Sequence, residues 1–533
     1  MIAFIRRSIM IILRNAEAIA AWSVFVVFVV LGGLYAFTGY VGFDEAFNLQ
    51  VPANLAQSGE YGTTYQGGEP FDPLITTGPT VLLPIALSFA VFGVGIVQAR
   101  LIIFLFWLTF IVLLAGMAYR LGGGLSMFLV LVLAAFLPNF FDFGLKVMGE
   151  IPALVFLLLG LWALSKNEAF WGAMLLGFSV LTKLNFLFSL GTLVLFYGLR
   201  WIGALFKERG LNKDLQKTVK QTFALLLRDV IKSGCAVASG FSLPIVTWEA
   251  IRLFVLGWME YWQNWGEFLR LLGILPGTRQ LLSSSSFTTR LLTVGIPYKV
   301  SDRFILGMGI FFLGALMLWG LWNFRSGVLH TEAKQEITLY WLLNASGLVS
   351  LVWWLFGKSD WWRHLLPGYL LWGLVVCITL VRWIKGTANR RWLERWRGVK
   401  SFGLGLVLFF LVFYPVGLQF RLLEFGLKQN YTCQNSLAQQ IRAMSEQKAI
   451  FGYWGWYQSP ELSFLSQKSF YDVAQPATRM TFAEMTARGY QPYVIVSQHQ
   501  EMGAKETLAE EGPLLGQVVK EMCGYKVYQY VGK

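Results

Sequence analysis

The stretch "GPTVLLPIALSFAVFG", Gly78 to Gly93, decides how the whole chain is threaded. It is apolar, yet shorter than the roughly 20 residues a helix needs to cross bilayer hydrocarbon, and it carries Pro79 and Pro84. It is either a span or a helix lying in the interface, and a span would move every later loop to the other side. On both sides of it lie runs that are long enough. They begin near Ala18, Val97, Leu125, Glu150, Ala169, Phe186, Gly234, Arg303, Ile337, Leu365 and Ser401, about eleven in all. Hydrophobic residues make up 56% and charged residues 14% of the 533 residues. Mean hydropathy is +0.55. This balance excludes a water-soluble core-and-shell protein and defines an α-helical polytopic membrane protein.

Charge bias separates the two threadings. With a cytoplasmic N-terminus and a non-crossing Gly78–Gly93, both densest basic segments, Lys207 to Lys232 and "RWIKGTANRRWLERWRGVK" from Arg382 to Lys400, lie inside. A crossing Gly78–Gly93 would export both. The stretch therefore reads as a juxtamembrane helix. The net charge of +14 sits in short loops between apolar runs, so it orients the chain and does not imply nucleic acid. Arg6, Arg7 and Arg14 lead into Ala18–Phe37 without a small-residue cleavage site, so that run reads as a retained helix.

The outer face then receives Val41–Thr77, which has no Lys or Arg, together with Asn139–Gly149, a long loop from about Arg252 to Asp302, "GKSDWWRH" from Gly357 to His364, and the chain from about Phe425. The chain divides into a membrane domain, 1–424, and a small extracytoplasmic α/β domain, 425–533. In the latter "QNSLAQQIRAM" has helical spacing, "AIFGYW" and "YVIVSQ" read as strands, and "GYKVYQYV" alternates like an edge strand. Of the four cysteines, Cys433 and Cys523 lie in this tail and can pair if it is extracytoplasmic. Cys235 and Cys377 lie in apolar runs.

This threading collects ionisable residues at one membrane face. Asp44 and Glu45 follow the first span: Asp44 either caps a helix starting at Glu45, or serves as a general base for an acceptor hydroxyl with Glu45 orienting it or binding sugar. Glu150 opens a helix and meets its dipole favourably, while Lys146, one turn earlier, is placed to pair with it or with a phosphate. Asp142 is a second acid in that loop. Lys183 lies between two apolar runs, where a lysine snorkels or binds phosphate. Arg363 and His364 sit beside Trp361 and Trp362, as part of an interfacial belt or as lipid-phosphate or sugar contacts. "WMEYWQNWGEFLRLLGIL" sets Trp258, Tyr261, Trp262 and Trp265 on one helix face, an interfacial anchor. Pro52 interrupts the helix after the acidic pair.

"FDEAFNLQVPANLAQSGEYG", "GGEPFDPLITTGPTVLLPIALSFAVFGVGIVQARL", "KVMGEIPALVFLLLGLWAL" and "GAMLLGFSVLTKLNFLF", with a weaker echo at "WWRHLLPGYLLWGLV", resemble the GT-C glycosyltransferases of the protein mannosyltransferase and aminoarabinose transferase type. The resemblance runs from about Tyr40 to Phe188. It implies a GT-C fold and inverting sugar transfer from a polyprenyl-phosphate donor to a glycan, lipid or protein acceptor, at the periplasmic face of a bacterial inner membrane. It maps the base onto Asp44, with Glu45 beside it, a second acid onto Glu150, and phosphate or substrate contacts onto Lys146, Lys183, Arg363 and His364. The aminoarabinose branch has a Lys-Pro-Pro-like element where this chain has "TTGPT", so its phosphate-binding cations must lie elsewhere. The Trp-Trp-Asp signature of oligosaccharyltransferases is absent. His330, His364 and His499 give no zinc spacing; Asp44, Glu45 and Glu150 can hold a hard divalent cation if they converge, as an incomplete shell, so a divalent metal is open but not implied and metal independence is the default, with no other cofactor expected. The competing classes are a glycolipid transporter or flippase, expected to bury ionisable groups deep in several helices, and a non-catalytic scaffold.

Overall fold

The computed structural model describes residues 2–38, 40–64, 68–136, 140–209, 215–271, 334–356, 362–387, 431–444, 449–454, 459–474, 476–497, 501, 504, 514–522 and 524–531. Helices α1 (Ile2–Thr38), α2 (Phe43–Ser58), α3 (Pro79–Phe92), α4 (Ile96–Gly122), α5 (Gly124–Phe136), α6 (Phe140–Leu145), α7 (Glu150–Ser165), α8 (Ala169–Thr182), α9 (Phe188–Arg209), α10 (Leu215–Leu271), α11 (Lys334–Phe356) and α12 (Leu366–Thr387) form the apolar part. The runs read from the sequence coincide with these helices, apart from those near Arg303 and Ser401, which lie outside the described residues. Ile19–Phe37, Ile96–Gly122, Lys232–Arg270 and Gln335–Trp354 are long and apolar enough to cross a membrane, and shorter apolar helices pack among them. Their shared core is built on Trp107, Phe110, Phe140 and Phe186. Large apolar side chains such as Trp22, Val30, Val194 and Phe254 face outward, which is how a lipid-facing surface differs from a water-facing one.

Both flanks of α3 lie at one end of this bundle. Before it, Thr77 bridges Lys183 at the end of α8, and the Gly78 N–H donates to the Thr182 carbonyl at 2.8 Å. After it, Arg100 in the opening turns of α4 reaches Glu45. At 1.5 Å per residue α3 is about 21 Å long, shorter than the hydrocarbon thickness of about 30 Å. Val81, Leu82, Ile85 and Phe89 of α3 join Val41, Leu49 and Val147 in a second, smaller core.

Three sequence expectations are corrected here. α2 runs through Pro52 to Ser58, with Gly42 as its N-cap, so Pro52 does not interrupt it and Asp44 sits in the first turn without capping. A proline removes one helical hydrogen bond, and burial of the surrounding turn offsets that loss. The chain from Arg252 to Leu271 is not loop, the rest of the expected loop lying outside the described residues: α10 continues to Leu271 with a break at Gly257, whose φ of 74° leaves helical geometry. The helix beyond the break folds back, so that Tyr261 Oη and Trp265 Nε1 both donate to Glu249 at 3.0 Å. Trp258 and Trp262 stay exposed, and the aromatic face is thus split between a tether and an outward anchor.

The tail forms helix α13 (Tyr431–Met444), β1 (Ala449–Tyr453), α14 (Ser459–Ser466), β2 (Phe470–Asp472), α15 (Pro476–Ala487), β3 (Gln491–Ser497), β4 (Leu514–Met522) and β5 (Tyr525–Val531). The sheet order is β2-β1-β3-β5-β4, parallel among β2, β1 and β3 and antiparallel among β3, β5 and β4. β5, expected at an edge, is therefore internal, and β4 covers it. Alternation along the strands sends Ile450, Val494 and Tyr528 to one face with Phe482 of α15. Phe451, Ile495 and Val527 face the other side, with Leu437 of α13 and Leu462 of α14. Cys433 is disulfide-bonded, while Cys235 and Cys377 are free thiols; the expected partner, Cys523, lies outside the described residues. The tail meets the helical part through α14, whose Phe464 enters the second core.

Candidate active site

Backbone knitting brings four segments together at the end of the bundle where the flanks of α3 lie. Asn48 of α2 donates to the Val147 carbonyl at 2.6 Å. Thr77 donates to the Met148 carbonyl at 3.2 Å, and the hydroxyls of Thr80 and Thr182 share a hydrogen bond at 2.6 Å. Two glycines make this possible. A Cβ at Gly78 would stand 1.6 Å from the Leu181 carbonyl oxygen, and Gly149, the N-cap of α7, has φ 87°, a left-handed conformation that glycine adopts without strain.

On this frame the predicted residues separate into two ionic systems. Glu45 is fully buried and held by Arg100 in a bidentate pair, Nε to Oε1 at 2.9 Å and Nη2 to Oε2 at 2.6 Å. The same guanidinium donates to the carbonyls of Ala36 at 3.1 Å and Tyr40 at 2.7 Å. This pair is saturated. The other system is open. Arg363, in a short 3-10 turn before α12, donates through Nη1 to Asp44 Oδ2, and its Nε stands 3.8 Å from Glu150 Oε1. Lys183 Nζ stands 3.7 Å from that same oxygen and donates to Thr76 Oγ1 at 2.9 Å. Neither carboxylate oxygen of Glu150 has a hydrogen-bond partner among the described residues, although the side chain is 1% exposed. Asp44 is 32% exposed, and of the three carboxylates it alone opens toward a substrate.

Lys146 does not reach Glu150 as its spacing suggested. It turns back one helical step to Asp142, at 2.5 Å, and lies 3.6 Å above the Tyr40 ring. Asp142 also accepts from Tyr35. Burial pulls the Lys146 ammonium down, but Asp142, Tyr40 and Glu45 more than offset it and leave the group above its ordinary value. Burial lowers Lys183, against the pull of Glu150. Burial, then the positive charges of Arg363 and Lys183, hold His364 well below the usual imidazole range, so it is neutral at pH 7.

The structure thus joins Asp44, Glu150, Lys183, Arg363 and His364, and it sets Glu45 and Lys146 in flanking pairs. Reading the sequence missed Arg100, Thr76 and Tyr40. A charged residue inside the apolar run of α4 was the available signal for Arg100; no pattern marks Thr76 or Tyr40. Among the described residues no group of three His, Cys, Asp or Glu converges as a metal site, and His330 and His499 lie outside them. A buried cation pair flanked by one open and one buried carboxylate is suited to stabilising an anionic leaving group beside a proton acceptor.

No family model matches the sequence, and no curated protein does. Solved structures do match. The structure of ArnT from Cupriavidus metallidurans in the apo state superposes with a TM-score of 0.59 at 15% identity, covering 97% of this chain and 100% of that one. The structure of ArnT from Cupriavidus metallidurans bound to undecaprenyl phosphate gives 0.57 at 15% identity, covering 96% and 99%. At these identities the likeness is one of fold: the chain shares the fold of these ArnT structures.

Proposed function

We propose that this chain, built on the GT-C fold, is an inverting glycosyltransferase that moves a sugar from a polyprenyl-phosphate donor to an acceptor hydroxyl. The observation that carries the reading is the meeting of Asp44, Glu150, Lys183 and Arg363 from four separate segments at one end of the bundle. Asp44 takes the proton of the acceptor hydroxyl as its oxygen attacks the anomeric carbon from the face opposite the phosphate. The carbon–oxygen bond to phosphate breaks, and the electron pair leaves with the lipid phosphate. Charge grows on that phosphate as the bond breaks, so Lys183 and Arg363 stabilise the transition state more than the bound donor. Thr76 orients Lys183, taking the place in "TTGPT" that a loop cation would otherwise fill. Glu150, whose oxygens have no hydrogen-bond partner among the described residues, accepts hydrogen bonds from the donor sugar, and neutral His364 lines the same wall. Glu45 acts at one remove, fixing the first turn of α2 through Arg100, and Lys146 fixes the 142–150 segment. No step is assigned to a metal ion.

The ArnT neighbour bound to undecaprenyl phosphate supports a polyprenyl-linked donor. Burial of the ionisable groups at one end, among the described residues, supports transfer chemistry over transport, which would place such groups along the helices. We assign the site to the periplasmic face of a bacterial inner membrane, with about eleven spans, a cytoplasmic N-terminus and an extracytoplasmic domain at 425–533; the charge bias and the bonded Cys433 support that assignment. The test is a screen of polyprenyl-phosphate sugars against the purified protein in lipid nanodiscs. Sugar release by wild type that Asp44→Asn abolishes, with the donor still bound, supports the reading; release unaffected by Asp44→Asn overturns the base assignment, and no release from any donor overturns the reading.

A further inference from the structure

α14 belongs to the tail, but one side of it is seated in the helical part. Phe464 packs with Val41, Leu49 and Val147 and stacks on Phe89 with ring centroids 6.3 Å apart. Gln434 of α13 adds a hydrogen bond to the Val41 carbonyl at 3.4 Å. This seating carries Glu461, in the first turn of α14, to the beginning of α2, where Asp44 stands. Glu461 is 6% exposed, and its Oε2 has no hydrogen-bond partner among the described residues.

Its surroundings set its charge. Three groups couple to it: Asp44 of α2, Lys146 of the 142–150 segment and Tyr453 of β1. Burial first, with the negative charge of Asp44 adding to it and Lys146 opposing, pushes the Glu461 carboxyl up to about 8. At neutral pH it is an acid with a proton to donate. The turn after α14 is tied by Arg442, which donates to the carbonyls of Ser466 at 3.3 Å and Leu465 at 3.0 Å. A buried carboxyl left open beside a proton acceptor is placed for a ligand.

We propose that Glu461 is an acceptor-contacting residue, a carboxyl delivered by the C-terminal domain to the Asp44 side of the site, where it hydrogen-bonds a hydroxyl-bearing sugar acceptor. This rests on the glycosyltransferase reading above. Arg363 bridges Asp44 to Glu150 and Lys183, so the donor phosphate is assigned to the Lys183 end of this chain of charges and the acceptor to the Asp44 end. A neutral carboxyl both donates and accepts a hydrogen bond, so it holds a sugar hydroxyl without repelling the oxygen that becomes anionic as Asp44 takes its proton. The tail then completes the site.

The full-length protein in nanodiscs, supplied with an undecaprenyl-phosphate sugar that wild type turns over and with a panel of hexyl glycosides as probe acceptors, tests this. Glu461→Ala is expected to raise the acceptor KM about tenfold while the donor KM stays within about twofold. Glu461→Gln, which still donates and accepts, is expected to restore the acceptor KM to within about threefold of wild type. An acceptor KM unchanged in Glu461→Ala, or donor and acceptor KM raised together, overturns the proposal; a melting temperature lowered equally in both variants with acceptor KM intact marks a structural role and also overturns it. A second measurement needs no substrate. In infrared pH titration, a protonated-carboxyl band that titrates near pH 8 is expected to vanish in Glu461→Gln and to titrate at lower pH in Asp44→Asn, which removes a charge that raises it. An unmoved band in Asp44→Asn separates the two groups and overturns the proposal. If wild type releases sugar from no donor, the glycosyltransferase reading falls and takes this inference with it; if wild type transfers and Glu461→Ala matches it, this inference falls alone.

Discussion

Asp44 and Glu45 are neighbours in sequence and opposites in environment. Glu45 faces into the protein, where Arg100 engages both of its oxygens and the surrounding carbonyls use other guanidinium donors. Asp44 faces the mouth of the site, one-third exposed, in a group whose other acid stands 3.7 and 3.8 Å from its cations. A saturated pair has no capacity left for a ligand and serves to hold the fold. An open group, with buried oxygens unpartnered, has capacity to bind. Completeness of hydrogen bonding, more than charge or burial, separates framework from machinery here.

The strongest way to break that distinction is to remove the charge of each acid in turn. Asp44→Asn is expected to lower turnover about 10²–10⁴-fold, the range for loss of a general base, with a smaller loss of melting temperature than Glu45→Gln because Asp44 is one-third exposed. Stopped turnover with donor binding retained is the signature to look for in nanodiscs. Glu45→Gln is expected to do the reverse, because it strands a buried guanidinium. It should destabilise the protein by about 3–5 kcal/mol, read as a lower unfolding midpoint, and the double replacement Glu45→Met with Arg100→Leu should recover much of that loss. If Glu45→Gln instead left stability unchanged and stopped turnover, the two acids would have to exchange roles.

What the sequence could reveal follows the same division. The apolar runs that became helices were legible because lipid leaves a helix no alternative for its backbone bonds. The helix at Pro79–Phe92 was legible as an apolar run opened by a proline. The convergence of Asp44, Glu150, Lys183 and Arg363 followed from the threading. Pairing partners did not follow. Lys146 had acids within helical reach on both sides, and the turn between α6 and α7 sent it to Asp142. The fold-back at Gly257 depends on one backbone angle that composition does not mark. Glu461 lies far along the chain, in "SPELSF", a helix start like many others, and gains meaning only once Phe464 is seated against Phe89.

A narrower test sharpens the open side. Lys183→Met removes one of two cations facing Glu150 and is expected to lower turnover about 10²–10³-fold, as for loss of one oxyanion donor, and to weaken binding of undecaprenyl phosphate. Thr76→Val, which removes only the hydroxyl that Lys183 Nζ contacts, should cost about 0.5–1.5 kcal/mol, roughly tenfold at most in the same binding measurement. A Thr76→Val effect as large as that of Lys183→Met would place the hydroxyl itself against the ligand.

A pH-dependent effect concerns the acid that fits neither class. Glu461 is buried, as Glu150 is, yet among the described residues its Oε2 has no hydrogen-bond partner. Burial and Asp44 raise its folded value to about 8, from an ordinary 4.5. Between those two values the folded chain keeps a proton that the unfolded chain has released. Stability contributed by that proton is therefore full below about 4.5, falls as pH rises through the window, and is lost above about 8. The slope is at most about 1.4 kcal/mol per pH unit for one proton. Unfolding midpoints of wild type should thus fall between pH 6 and pH 8 relative to Glu461→Gln, which carries no ionisable group there. The two curves should meet near the acid end of the window and diverge toward the alkaline end, with the variant the more stable. Parallel curves would mean that Glu461 is already ionised at neutral pH, and a carboxylate so buried would need a cation as close as Arg100 is to Glu45. The distinction between saturated and open acids would then have to be redrawn to include it among the saturated.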